Sequence, residues 1–217
     1  MALAWGGISS VNTSSSVTSV AVSGSDTVGI VFVVGEVAGD NITAVTWNGV
    51  SMTKIGAVQN PSDRWMSAWW VASPASSTTI AFTGGSFWRS YSFYYTGAHQ
   101  TAPIDSSNTG STASASAITI ATTVVASNCW QVMAKKDGRG NLTDTGSGVL
   151  ASTRTGTDAG GIGILDSNGT VGTGSQSGTD TLSGGTLPIQ IGGITFSLAP
   201  VGGGGGGSVN SNFLMFM

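Results

Sequence analysis

His99 is the one histidine of the chain. It lies in "TGAHQTAPID", six residues before Asp105 and among many serines. An imidazole, a carboxylate and a hydroxyl are the parts of an acyl-transfer triad. No G-x-S-x-G elbow marks one serine as the nucleophile, so His99 reads as a turn histidine. Glu36, in "VVGEVAGD", and nearby Asp40 are the closest approach to a paired-carboxylate site. Glycoside hydrolysis needs the two carboxyls held across a cleft. Glu36 instead reads as a solvated carboxylate at a strand end. Cys129 is the one cysteine, so no internal disulfide forms, and with a single histidine it makes no zinc set. In "NCWQVMA" it reads as a small buried apolar residue. Calcium takes carboxylate and amide oxygens, which "DGRGN" (Asp137, Asn141) and "DSNGT" (Asp166, Asn168) offer. Both strings are also ordinary turn chemistry. The glycine runs lack the lysine and helix of a phosphate loop. The sequence therefore assigns no catalytic residue, no cofactor and no metal.

The elements that would position such residues are strands throughout. Apolar residues alternate or come in short runs, broken by Gly, Asn, Asp and Ser about every eight to twelve residues, as in a sandwich or barrel. "SVTSVAVS" (16–23) reads as the first strand. "TVGIVFVVGEV" is a continuous apolar run, the mark of a strand covered on both faces. "ITAVTW" and "VSMTKIGAV" flank Asn48-Gly49, a hairpin signal because both central residues take positive φ. "RWMSAWWVA" and "STTIAFTG" read as the next pair, joined through Ser73-Pro74-Ala75-Ser76. "WRSYSFYYTG" follows, with Trp88, Tyr91 and Phe93 at roughly alternate positions. "HQTAPIDSSNTGSTASAS" reads as loop. "AITIATTVVA" and "NCWQVMAK" resume the strands, and Lys135-Lys136-Asp137-Gly138-Arg139 reads as a hairpin tip. "GVLASTRTG", "GGIGILDS" and "SGTDTLSG" are weaker strands. "LPIQIGGITFSLAP" ends the body, with a bulge expected at Gly192-Gly193. The fold class is all-β: a single antiparallel β-sandwich, jelly-roll-like, over residues 16–200. Residues 1–15 and 201–217 read as extended N- and C-terminal arms.

Seven Trp, seven Phe and three Tyr supply a core. Strand alternation sends about half of such rings inward. Trp65, Trp69 and Phe93 are expected inside, and Trp70, Tyr94 and Tyr95 are the candidates for outward rings. The C-terminus combines six consecutive glycines (Gly202 to Gly207) with an apolar end, Phe213, Leu214, Met215, Phe216 and Met217. Ordering such a tether costs roughly 1 to 2 kcal/mol per residue. Burying Phe213, Leu214 and Phe216 would return roughly 1.5 to 3 kcal/mol each. Those five residues are the expected assembly interface, docking on another chain as an added strand or in a groove. Trp5 is the expected anchor of the N-terminal arm. The other arrangement packs the tail on its own sandwich.

Only 8% of the 217 residues are charged and the formal net charge is −3. Nucleic-acid binding needs a basic stripe, which seven scattered Lys and Arg do not make. No apolar run reaches the about 18 residues of a membrane span. "MALAWGGISS" has neither the basic nor the long apolar part of a signal peptide, which points to synthesis in a cytosol. The Asn-x-Ser/Thr sequons then read as chance. A hydroxyl-rich, weakly charged surface gives little repulsion between copies.

Three stretches together carry a resemblance: "VTWNGVSMTKIG", "MSAWWVASPASSTTIAFTG" and "SYSFYYTGAHQTAPID". Over residues 16–110, with fainter echoes to 200, the chain resembles a group of β-sandwich domains found in virion proteins of tailed bacteriophages and in bacterial surface proteins. The resemblance implies a decoration, cement or fibre-type subunit, made in the host cytoplasm and located in the virion. Its partners would be further copies of itself and other virion proteins such as a capsid shell. The alternative is a carbohydrate-binding or adhesive module that meets glycans through outward aromatic rings.

Overall fold

A computed structural model describes residues 1–14, 16–35, 39–60, 64–85, 87–138, 142–155 and 161–202. Its strands are β1 (Ala4–Ile8), β2 (Ser16–Thr18), β3 (Val28–Gly35), β4 (Ala44–Trp47), β5 (Val50–Ser51), β6 (Thr53–Asn60), β7 (Arg64–Ala72), β8 (Thr79–Thr83) and β9 (Phe87–Thr96). They continue as β10 (Ile104–Ala115), β11 (Ala117–Val124), β12 (Trp130–Asp137), β13 (Thr143–Gly148), β14 (Ser152–Thr153), β15 (Ile162–Asp166), β16 (Gly174–Ser183) and β17 (Ile189–Leu198). The all-β class expected from the sequence is what the chain adopts. Its strands form several antiparallel sheets packed face to face, as in a β-sandwich.

The sheets divide along the chain. β1 to β9 make a five-stranded sheet, β1-β9-β3-β7-β6, and a four-stranded one, β2-β8-β4-β5. β10 to β17 make a second five-stranded sheet, β10-β17-β12-β15-β14, and a three-stranded one, β11-β16-β13. Residue alternation then stacks them. Ile30 and Phe32 of β3, with Phe93 and Tyr95 of β9, pack against Val132 of β12, Ile164 of β15 and Phe196 of β17. The opposite face of β3, Val31 and Val33, packs with Trp69 against Val45, Trp47 and Ile80. The opposite face of the second five-stranded sheet, Met133, Leu165 and Ile191, packs against Ile118, Ile120 and Leu182. The two five-stranded sheets are thus inner layers with a core on each face. That is why β3, β12 and β15 are buried at every position.

Both halves repeat one strand order. β5 and β6 are separated only by Met52, and count as one interrupted strand that crosses from the outer to the inner sheet. Each half then has eight strands. The inner sheet runs first-eighth-third-sixth-fifth and the outer sheet second-seventh-fourth. Pairing first with eighth, second with seventh and third with sixth is what results from wrapping one long hairpin into two facing sheets.

Local signals explain several elements. Asn48 and Gly49 have φ of 52° and 76° and close the β4–β5 turn as expected. Other expectations are corrected. The stretch read as loop after His99 contains β10, a full edge strand on β17. β7 and β8 do not pair; the turn through Ser73 and Pro74 carries the chain from an inner to an outer sheet. No bulge occurs at Gly192-Gly193, where β17 keeps its register with both β10 and β12. Gly193 lies close under the outer sheet, where a Cβ would sit a tight 3.0 Å from Cδ1 of Ile120. Residues 4–8 do not extend as an arm. They pair with β9, placing Trp5 opposite Tyr95. Tyr94 and Tyr95 do not point outward: both are buried, on opposite faces of the inner sheet.

Candidate functional site

The residues singled out for catalysis serve local structure. His99 Nδ1 accepts the backbone N–H groups of Thr101 and Ala102, at 3.3 and 3.2 Å, and so closes its own turn. Asp105 accepts the N–H of Val125 at 2.8 Å and of Ala126 at 3.0 Å, and the Ser197 hydroxyl at 3.0 Å. It fastens the start of β10 to the β11–β12 connection. Asp40 pairs with Lys54 at 2.7 Å on a partly exposed edge. Glu36 and Asn141 lie outside the described residues. Cys129 is fully buried, and burial followed by the Asp105 charge pushes its thiol up to about 12.

A clasp joins the two inner sheets. Asp166, at the end of β15, is fully buried and receives the Arg154 guanidinium in a fork, Nε to Oδ2 and Nη2 to Oδ1, both at 2.8 Å. The Tyr95 hydroxyl of β9 donates to Oδ2 at 2.9 Å, and the Asn168 N–H to Oδ1 at 3.0 Å. Arg154 also donates to Asn168 Oδ1 at 2.9 Å and lies 4.9 Å from the centroid of the Trp5 ring. The oxygens that "DSNGT" offers to calcium are therefore held by a guanidinium. Burial, then the Asp166 charge, raises the Tyr95 phenol well above its ordinary value. Trp5 stacks on Phe93 at 5.9 Å and meets Tyr95 edge-on at 5.2 Å.

A second polar cluster lies sealed between the second inner sheet and its outer partner. Lys135, Lys136 and Asp137 do not form a hairpin tip. They end β12 and are buried. Lys135 shares the face of Met133, turned toward Asp144 of β13 and Asp180 of β16. Its Nζ lies 2.8 Å from Asp137 Oδ2 and 2.7 Å from Asp144 Oδ1, with every side chain of the three fully buried. The contact with Asp144 is short but off the line of a hydrogen bond. Asp180 Oδ1 accepts the Thr145 N–H at 3.2 Å, while its Oδ2 is buried with no hydrogen-bond donor among the described residues. Burial, then the neighbouring Asp144 charge, pushes Asp180 up to about 7. Burial raises Asp144 as well, against the pull of Lys135. Two adjacent sealed carboxyls resist carrying a charge each. Gly163 makes the space: a Cβ there would collide with Asp144 Oδ2 and lie 2.5 Å from Lys135 Cε.

The ends of the described chain meet at an apolar cleft of about 340 Å³, lined by Met1, Leu3, Asn128, Trp130, Pro200 and Val201, among others. Val201 donates to the Gly97 carbonyl at 2.9 Å, so the root of the glycine run is fixed at the rim. The expected interface residues Phe213, Leu214, Met215, Phe216 and Met217 lie outside the described residues.

The sequence reading missed the Lys135, Asp144 and Asp180 cluster. One signal was present. Asp180 is in phase with Leu182 on β16, and Lys135 with Met133 on β12, so each occupies an inward position. No family model matches the chain, and neither a curated protein nor a solved structure shows significant similarity to it.

Proposed function

We propose that this chain is a structural subunit of a tailed-bacteriophage virion, of decoration, cement or fibre type. Each half is read as a jelly roll, and the apolar C-terminal arm fastens the subunit to a further copy or to another virion protein. The observation that carries the reading is the placement of the tether root. Residues 200–202 leave the body at the rim of an apolar cleft that also holds Met1 and Leu3. An apolar terminus on a glycine tether and an apolar recess on the same edge suit reciprocal exchange between copies, the self-complementary contact of a closed dimer. The weakly charged surface fits close contact between neighbours. The glycan alternative keeps only one of its three proposed rings, the half-buried Trp70, since Tyr94 and Tyr95 lie inside.

The test is removal of residues 203–217. The truncated chain is expected to fold with unchanged circular dichroism and to elute as a monomer by light scattering, while the full chain elutes as a multimer. Identical multimers from both chains would refute the role of the arm.

A further inference from the structure

The sealed cluster holds a primary amine within contact of one buried carboxyl and a second buried carboxyl beside that. We propose that Lys135 and Asp144 condense into an intramolecular amide, with Asp180 as the acid–base group. The argument starts from cost. A buried ion pair loses the hydration of both charges, and Coulomb attraction seldom restores all of it. A neutral amide removes both charges from the same space. Position supplies the rate: two reactants held in contact need no encounter, and oriented neighbours react as if at very high concentration. Lys135 Nζ is 2.7 Å from Asp144 Oδ1, with both side chains fully buried, so the reacting groups are already in contact.

The step balances within the cluster. A proton passes from the Lys135 ammonium to the Asp144 carboxylate, giving a neutral amine and a neutral acid. The Nζ lone pair then attacks Cγ of Asp144. Asp180 gives its proton to the departing hydroxyl and takes one from Nζ. The Cγ–O bond breaks, the Cγ–Nζ bond forms and one water leaves. No oxidant, reductant or metal enters the balance. Asp137 also touches Lys135, at 2.8 Å, but lies two residues away on the same strand. Asp144 stands on the facing outer sheet, beside Asp180, whose value its charge raises. A bond there ties β12 to β13, and so one layer of the second half to the other.

Mass spectrometry of the denatured full chain tests this without any variant. The expected mass is lower than the sequence mass by one water, and digestion is expected to yield one branched peptide joining residue 135 to residue 144. Lys135→Ala, Asp144→Ala and the nearly isosteric Asp180→Asn are each expected to restore the mass of their own sequence. A wild-type chain at full sequence mass overturns the proposal. So does a branched peptide that joins Lys135 to Asp137. A link that persists undiminished in Asp180→Asn overturns the role given to Asp180.

Discussion

Replacing Asp166 tests whether the clasp holds the two inner sheets together. Its carboxylate receives four donors: Arg154 Nε and Nη2, the Tyr95 hydroxyl and the Asn168 N–H. Asp166→Ala removes the carboxylate that holds Arg154, whose side chain is only 15% exposed, and leaves it the Asn168 amide oxygen as an acceptor. Breaking a buried pair from one side costs about 3–5 kcal/mol. Arg154 retains a route to water and its place over Trp5, which favours the lower end, about 3 kcal/mol. Tyr95→Phe removes one donor from a carboxylate that keeps three. The expected cost is the lower end for a charged hydrogen bond, about 1.5 kcal/mol. Tyr95 and Asp166 share that bond, so their losses should fall short of additivity by about 1 kcal/mol in a double-mutant cycle. Urea unfolding reads all three numbers from midpoint shifts at constant m-value. An Asp166→Ala loss below about 1 kcal/mol would show that Arg154 rehydrates freely, against the strong burial argued for the pair. A Tyr95→Phe loss equal to that of Asp166→Ala would place the strength in the phenol rather than in the ion pair.

Three further outcomes follow from the same geometry. Tyr95 should be missing from the phenolates counted by ultraviolet absorbance as native protein is taken past the ordinary tyrosine value of about 10. Because its folded value is raised, the stability it contributes is complete below that ordinary value and is lost as pH climbs above it; ionisation of all three tyrosines without unfolding would contradict this. Cys129 should resist iodoacetamide in native protein at about pH 8 and react at once in denaturant, as a sealed thiol pushed up to about 12 must. Gly97→Ala should cost more than about 1 kcal/mol by thermal unfolding, since the position has φ +70° and its Cβ would collide with the Ala2 carbonyl; a neutral outcome would mean that residues 1–3 are not held there.

How much could be read beforehand depended on whether the deciding contact was local. Val28–Gly35 was legible as a strand covered on both faces because an inner layer admits apolar residues at every position. Asn48-Gly49 was legible because positive φ is a property of the residues themselves. β10 was not. Its Ser, Thr, Asn and Gly residues have little strand preference, and the strand exists because β17 offers a long ladder about ninety positions away along the chain. β7 and β8 were read as partners because they are neighbours in sequence, whereas each pairs with a strand of its own sheet. Adjacent Tyr94 and Tyr95 could not both be inside a two-sheet sandwich. With a core on each face of the sheet, both are. The string of Lys135, Lys136 and Asp137 carried turn chemistry, and the carboxylate that meets Lys135 from the facing sheet, Asp144, lies on another strand.

That burial bears on function. A group tuned for turnover must meet a substrate, so an enzyme sets its perturbed acids and bases in a cleft. The raised groups among the described residues sit elsewhere. Tyr95 lies between two inner sheets, Cys129 beneath a sheet end, and Asp144 and Asp180 between an inner and an outer sheet. The cleft beside the chain ends, by contrast, is lined by Met, Leu, Trp, Pro and Val side chains and by Asn128, with no acid or base among the lining named above. Reactive chemistry and accessible surface are separated in the described part of the molecule. Groups that no substrate can reach can react only with each other, and a recess lined mainly by apolar side chains binds largely by burying apolar surface. The proposed amide would harden a subunit from within, and the proposed arm would attach it from without.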